Sequence, residues 1–310
     1  KYILANISYN VSNMIIPNRL NKGDKIALIA TARHISKNEL EPAIKIIDSW
    51  GLKIKLGKNI FKIKNQFAGD DFQRASDLQD ALDDESIKAI FCVRGGYGSA
   101  RIIDLIDFSK FLKKPKWVIG YSDITVLHNH INNIGVASIH ASMPINFKEN
   151  SNDALDSLYN SLFNLNCKIS FRSTDLNRIG SVKGEVVGGN LSVIYSLLGS
   201  SSDIKTSEKI LFIEDLDEYL YHIDRMLTNL KRNQKFSSIK ALIVGGMTKM
   251  HDNTIPFGMN ANQIIYEKTK EYDFPICFNF PSGHLKDNRS IIFGKATQIN
   301  IGKKIVEFIQ

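Results

Sequence analysis

The apolar positions of the chain fall into two alternating periods. Short runs at Lys25–Ala30, Leu52–Leu56, Ile87–Val93 and Trp117–Gly120 are apolar or alternating throughout and read as buried strands. Between them the spacing becomes helical. Asn38–Trp50 places Leu40, Ile44 and Ile47 on one face and ends at Gly51, a usual C-terminal stop. Asp71–Leu82 and Ser99–Ile106 read as further helices, and Ile124, Leu127 and Ile131 begin another directly after Trp117–Gly120. Strands alternating with helices predict right-handed crossovers and a parallel sheet. In such sheets ligands collect at the carboxyl ends of the strands.

The pattern changes after Lys148. A helix over Ala154–Phe163 gives way to polar sequence around Arg172-Ser173-Thr174-Asp175. This predicts an N-terminal α/β domain over 14–165, a linker over 166–183 and a C-terminal domain over 184–310. In the second half Gly184–Gly189 reads as a strand, Asn190–Leu198 as a small helix and Lys209–Ile213 as a strand. Leu220–Arg232 is a long helix with Ile223, Met226, Leu227 and Leu230 inward, and another helix lies near Asn260–Thr269. Short runs at Ala241–Gly245, Pro275–Phe280, Arg289–Phe293, Gln298–Ile301 and Ile305–Ile309 read as strands, the closing ones as antiparallel β structure.

Composition adds mainly exclusions. With 310 residues, 43% hydrophobic and 23% charged, this is an ordinary globular composition with length for two domains. The net charge of +8 permits anionic ligands, but the lysines are scattered and no arginine-rich block interleaved with aromatics points to nucleic acid. Cys92, Cys167 and Cys277 are far apart without a C-x-x-C pair, which argues against a disulfide scaffold and suits a reducing compartment. No run approaches the ~18 apolar residues of a membrane span. Residues 1–13 lack the apolar region and cleavage site of a signal peptide. Met14 reads as a natural start, which leaves 1–13 as a leader or an extension.

Candidate chemistry gathers at strand ends. Ser122, in Gly120-Tyr121-Ser122-Asp123, sits where a strand turns into a helix whose free N–H groups stabilise an oxyanion. Ser and Asp are also preferred N-caps, so capping and nucleophilic readings both stand. Ile124 replaces the second glycine of the G-x-S-x-G elbow. Arg94-Gly95-Gly96-Tyr97-Gly98 matches no phosphate-loop pattern; it reads either as a turn or as a source of free backbone donors. Glu214 follows the apolar run Ile210–Ile213, and His284 follows Pro281-Ser282-Gly283. Together with Ser122 they supply nucleophile, base and orienting carboxylate, although a helix-start carboxylate and a surface histidine describe each equally well alone. His128 and His130 are two apart, on different faces of a helix, and make no metal motif.

Seven segments then line up in one order: MIIPNRLNKGDKIALIAT, FAGDDFQRASDLQDALDD, CVRGGYGSARIIDLID, VIGYSDITVLH, GGNLSVIYSLLG, LFIEDLDEYLYHIDRML and PSGH. In this combination the chain resembles the LD-carboxypeptidase family of serine peptidases, over nearly everything from Met14 on. The resemblance implies a nucleophile at Ser122, a glutamate at Glu214 with Glu218 as its nearby competitor, and a histidine at His284. It places the oxyanion hole at the backbone N–H groups of Gly96 and Asp123, with Gly95 beside them. It also implies a Rossmann-like N-terminal domain, a smaller β-rich C-terminal domain and an active site in the groove between them. The implied activity is release of terminal D-alanine from murein tetrapeptides at an L,D bond, in peptidoglycan recycling, by a cytoplasmic homodimer without cofactor or metal. Arg94 and Arg101 are the nearest cations to the glycine loop for a leaving carboxylate, though structural pairing suits either as well. A related branch cleaves microcin C-type peptide nucleotides, which would call for an aromatic loop stacking the base. A non-enzymatic sugar- or nucleotide-binding module would explain the sheet rim but not Glu214 and His284 in this order.

Overall fold

The computed structural model describes residues 14–310; the expected leader 1–13 lies outside the described residues. In chain order the first half comprises β1 (Lys25–Ile29), α1 (Lys37–Ser49), β2 (Lys53–Leu56), α2 (Asp71–Asp83), β3 (Ile87–Cys92), α3 (Ser109–Lys113), β4 (Trp117–Gly120), α4 (Thr125–Asn133), β5 (Ser138–His140) and α5 (Asn152–Phe163). The second half comprises β6 (Lys168–Arg172), β7 (Gly180–Asn190), α6 (Leu191–Leu197), β8 (Ile210–Leu216), α7 (Leu220–Arg232), β9 (Ala241–Thr248), α8 (Ala261–Thr269), β10 (Ile276–Cys277), β11 (Ile291–Phe293), β12 (Ala296–Ile301) and β13 (Ile305–Ile309).

Strands β1 to β5 form a parallel sheet in the order β5-β4-β3-β1-β2. Alternate residues of each strand enter different cores. Ile26, Leu28, Phe91 and Trp117 pack with Leu40 and Ile47 of α1 and Leu158 of α5. Ala27, Ile29, Ile90 and Val118 pack on the other face with Leu78 of α2, Phe111 of α3 and Leu127 of α4. A sheet covered on both faces needs apolar side chains at successive positions, hence the unbroken runs in the sequence. Capping boxes at Ser36/Glu39 and Asp70/Gln73 start α1 and α2, satisfying N–H groups that have no partner within the helix.

The second sheet runs β10-β9-β8-β7-β12-β13-β6. Strands β7 to β10 are mutually parallel, and β12, β13 and β6 are antiparallel additions. Leu211 and Ile213 of β8 face α6, α7 and α8, whereas Ile210 and Phe212 face the core shared with β11 to β13.

Four expectations are revised. Ser99–Ile106 is not one helix but two 3-10 turns, Ser99–Arg101 and Ile103–Leu105; the chain turns so that successive residues Ile102 and Ile103 are both buried, which one helical face does not achieve. The stretch 166–183 is not free linker. It contains β6 and the start of β7, and Ile169 is buried opposite Phe308 of β13. The expected strand Pro275–Phe280 is reduced to β10, which lies parallel to β9 because α8 returns the chain by a crossover. The expected strand Arg289–Phe293 leaves the second sheet altogether. As β11 it pairs antiparallel with β5 at the edge of the first sheet, and Ile292 enters the first core while Ile291 and Phe293 enter the second. The loop carrying His284 therefore spans from one sheet to the other.

Candidate active site

Ser122 follows β4 after the single residue Tyr121 and adopts φ +62°. A non-glycine residue there stores strain on the order of 1–3 kcal/mol, as in the sharp strand-to-helix turns that present nucleophiles. Neither Ser122 nor Asp123 caps the helix that follows. The Asp123 side chain instead accepts the Ser99 N–H at 2.8 Å, and burial pushes its carboxyl pKa up. The capping reading of this turn is thus set aside.

Glu214 lies within β8, beside a register irregularity between Ile213 and Asp215, and is fully buried. His284 sits in the loop between the two sheets. Its Nδ1 is 2.6 Å from Glu214 Oε2, its Nε2 is 3.2 Å from Ser122 Oγ, and its backbone N–H donates to the same Glu214 oxygen at 3.1 Å. Three residues spread over 162 positions thus form one hydrogen-bonded chain that joins the ends of β4 and β8 to the loop between the sheets. Burial disfavours a charged His284 ring, but the Glu214 charge and hydrogen bond outweigh it, with Asp215 adding to them, and raise its pKa. Glu218 points elsewhere, with Oε2 2.5 Å from Nδ1 of His222.

The His284 loop is held by groups that the sequence does not single out. Asn288 Oδ1 accepts the Gly283 N–H at 2.8 Å and the Ser282 hydroxyl at 3.2 Å. Gly283 has φ +105°, and a Cβ there would lie 2.7 Å from Glu214 Oε2; only glycine lets the loop close on the carboxylate. The Tyr121 ring is 4.8 Å from the His284 ring, while the Tyr121 hydroxyl donates to Asn146 Oδ1 at 3.1 Å. On the other side Asp215 accepts from Asn190 Nδ2 at 2.8 Å and from Ser192 N–H at 2.9 Å. The Asn190 N–H in turn donates to Thr125 Oγ1 of α4 at 2.9 Å. The strand bearing Glu214 is thereby tied to the helix after Ser122. Short polar side chains such as these carry no periodic signal, so position in the chain alone does not reveal them.

The glycine loop packs on the serine. A Cβ on Gly95 would lie 3.2 Å from Ser122 Cβ and 3.4 Å from Ser122 Oγ. Among the described residues, the backbone N–H groups of Gly96 and Asp123 donate to no protein acceptor. Arg94 is engaged elsewhere, donating to His34 O at 3.0 Å and contacting Glu39 at 3.4 Å. Arg101 pairs with both carboxylate oxygens of Asp71, the shortest contact being 2.7 Å. Both guanidinium groups are thus paired, at partly exposed positions. The described residues hold no group of three His, Cys, Asp or Glu side chains able to bind a metal; the His128 ring is taken up by Gly120 O and Ser138 Oγ, each at 2.9 Å.

Comparison with known proteins identifies the family. The LD-carboxypeptidase N-terminal domain matches residues 26–141 and the LD-carboxypeptidase C-terminal domain matches residues 183–299. A probable murein peptide carboxypeptidase of Bacillus subtilis is 33% identical over 93% of this chain and 92% of its own. The solved structure of muramoyltetrapeptide carboxypeptidase from Oxalobacter formigenes superposes with a TM-score of 0.85 at 25% identity, covering 92% of this chain and 98% of that one. The microcin C7 self-immunity protein has the same fold, with a TM-score of 0.85 at 20% identity over 96% of this chain and 98% of that one. With both domains matched and a third of residues shared with a full-length relative, the chain belongs to the LD-carboxypeptidase family of peptidases.

Proposed function

We propose that this protein is a serine LD-carboxypeptidase that releases the terminal D-alanine of murein tetrapeptides, with Ser122, His284 and Glu214 as its catalytic triad. The observation that carries the reading is the hydrogen-bonded chain from Ser122 Oγ through the His284 ring to the buried Glu214 carboxylate. His284 Nε2 takes the hydroxyl proton as Ser122 Oγ attacks the carbonyl before D-alanine. The Gly96 and Asp123 N–H groups receive the oxyanion. When the tetrahedral species collapses, the C–N bond breaks and Nε2–H protonates the departing amine. Water, deprotonated by the same nitrogen, then hydrolyses the acyl ester and restores Ser122. Glu214 holds the ring orientation and stabilises the imidazolium.

The substrate comes from the relatives. The Bacillus subtilis and Oxalobacter formigenes proteins are named for murein peptide and muramoyltetrapeptide, and a glycine loop packed on the serine suits a small leaving residue. Microcin-type cleavage is the alternative: the immunity protein fits it in fold, but at 20% identity it speaks for the fold alone. The three cysteines are unpaired and buried, which supports work in a reducing cytoplasm on recycled wall fragments. No helix among the described residues is long and apolar enough to cross a membrane. A homodimer completes the proposal and is checked by sedimentation. The deciding experiment is incubation with murein tetrapeptide and detection of D-alanine by mass spectrometry. The Ser122→Ala variant should fold and lose activity by several orders of magnitude; activity within a few fold of the unmodified protein would refute the triad.

A further inference from the structure

The glycine loop has a second flank, opposite the one that touches Ser122. Arg33 follows β1 on the same rim, and its backbone N–H donates to Gly95 O at 3.3 Å. Its side chain lies across Gly96. A Cβ on Gly96 would be 2.6 Å from Arg33 Cδ, 2.7 Å from Cγ and 2.8 Å from Nε. The stem of Arg33 therefore rests on the residue whose N–H faces the oxyanion, one position from the glycine that packs on the nucleophile.

The other arginines around this loop are already engaged. Arg94 is held by His34 O and Glu39, and Arg101 by Asp71. Arg74 is buried and donates to Thr31 O, Gly69 O and Asp71. Arg33 is exposed, and among the described residues its guanidinium enters no ion pair or hydrogen bond. An uncommitted guanidinium presents a planar fork of donors that matches a carboxylate oxygen for oxygen. A peptidase that removes one terminal residue must recognise a free carboxylate three bonds beyond the carbonyl that it attacks. With its stem on the glycine loop, Arg33 lies on the flank of the site that the leaving residue would occupy.

We propose that Arg33 binds the free α-carboxylate of the leaving residue and so restricts the enzyme to the end of a peptide. This rests on the carboxypeptidase reading above. Gly96 then has two duties: its N–H serves the oxyanion, and its lack of a side chain lets Arg33 lie over the loop.

Binding is measured by calorimetry in the Ser122→Ala background, which keeps the substrate intact. Four combinations are compared: Arg33 or Arg33→Gln, each with the murein tetrapeptide as free acid or as C-terminal amide. Removing the guanidinium and removing the carboxylate should each weaken binding about 10- to 100-fold. The two losses together should be no greater than either alone, because both delete one interaction. Arg33→Lys should recover part of the affinity for the acid and none for the amide. Additive losses, or an Arg33→Gln variant that binds the acid normally, would overturn the proposal. Release of D-alanine by the unmodified protein, assayed in parallel, separates the two claims. If D-alanine is released and the losses are additive, only the role of Arg33 fails. If the tetrapeptide is neither bound nor cleaved, the substrate reading fails and Arg33 loses its role with it.

Discussion

A single oxygen of Glu214, Oε2, accepts both the Nδ1 side and the backbone N–H of His284, at 2.6 and 3.1 Å. The carboxylate keeps the ring proton on Nδ1 and the backbone contact holds the loop in place, leaving Nε2 directed at Ser122. Glu218, four residues on, is occupied by His222. Glu214→Gln should accordingly lower turnover of the tetrapeptide on the order of 10³-fold, whereas Glu218→Gln should stay within a few fold. His284→Ala should cost more than Glu214→Gln, since it removes the proton acceptor itself. A crippled Glu218→Gln beside a near-normal Glu214→Gln would reverse the assignment.

The same pair sets the pH profile. Burial disfavours the imidazolium, but Glu214 outweighs it and raises the His284 pKa above the ordinary histidine value. A general base works only when neutral, so kcat/KM should fall as pH drops through that raised value. In Glu214→Gln the two larger raising contacts are gone, while burial and the smaller effect of Asp215 stay. The acidic limb of its residual activity should move to lower pH, and a limb that stays in place would mean that another group titrates.

Gly283 offers a geometric test. Its φ of +105° and the 2.7 Å separation between an added Cβ and Glu214 Oε2 leave alanine no room. Gly283→Ala should lower kcat about 100-fold, the effect of roughly 1 Å of misplacement. Thermal stability should fall as well, through backbone strain of about 1–3 kcal/mol. Gly199, with φ +79° but an added Cβ that meets nothing within 4 Å, is the control: Gly199→Ala should lower melting through similar backbone strain and leave kcat unchanged.

Asp215 should make stability depend on pH. Burial, and then the neighbouring Glu214 charge, push its pKa from 3.8 up to about 7. The folded state holds this proton more tightly than the unfolded chain does. The stabilisation that it gives is complete below the unfolded value of 3.8 and is lost as pH rises towards about 7. Asp215→Asn does not titrate, so urea unfolding should show the variant gaining on the unmodified protein between about pH 4.5 and 7.5, by about 3 kcal/mol. An unchanged difference across that range would refute the shift.

Chelation separates hydroxyl from metal chemistry. A nucleophile drawn from Ser122 through His284 needs no Lewis acid. Activity should persist after dialysis against EDTA; loss with recovery on adding zinc would show that the histidines have another use.

How much is legible in the sequence follows from what each feature depends on. Trp117–Gly120 and Ala89–Val93 stand out because a strand buried on both faces must be apolar at every position, a local property. The turns at Ser122 and Gly283 are readable for a similar reason, since strand ends and glycines mark where a chain exposes its backbone. Family resemblance supplies the roles. Long-range partners have no such signal. That Asn288 fastens the His284 loop, that Asn190 ties β8 to Thr125, and that Arg94 and Arg101 are spent on Glu39 and Asp71 depend on which chain segments meet, not on neighbours in sequence. The same holds for β11, whose short apolar run predicts a strand but not which sheet receives it; the gap beside β5, between two cores that need Ile291, Ile292 and Phe293, decides that. In the sequence Arg33 is one cation among many. Only the fold, by laying its stem over Gly96 and pairing its rivals elsewhere, leaves its charge free at the site.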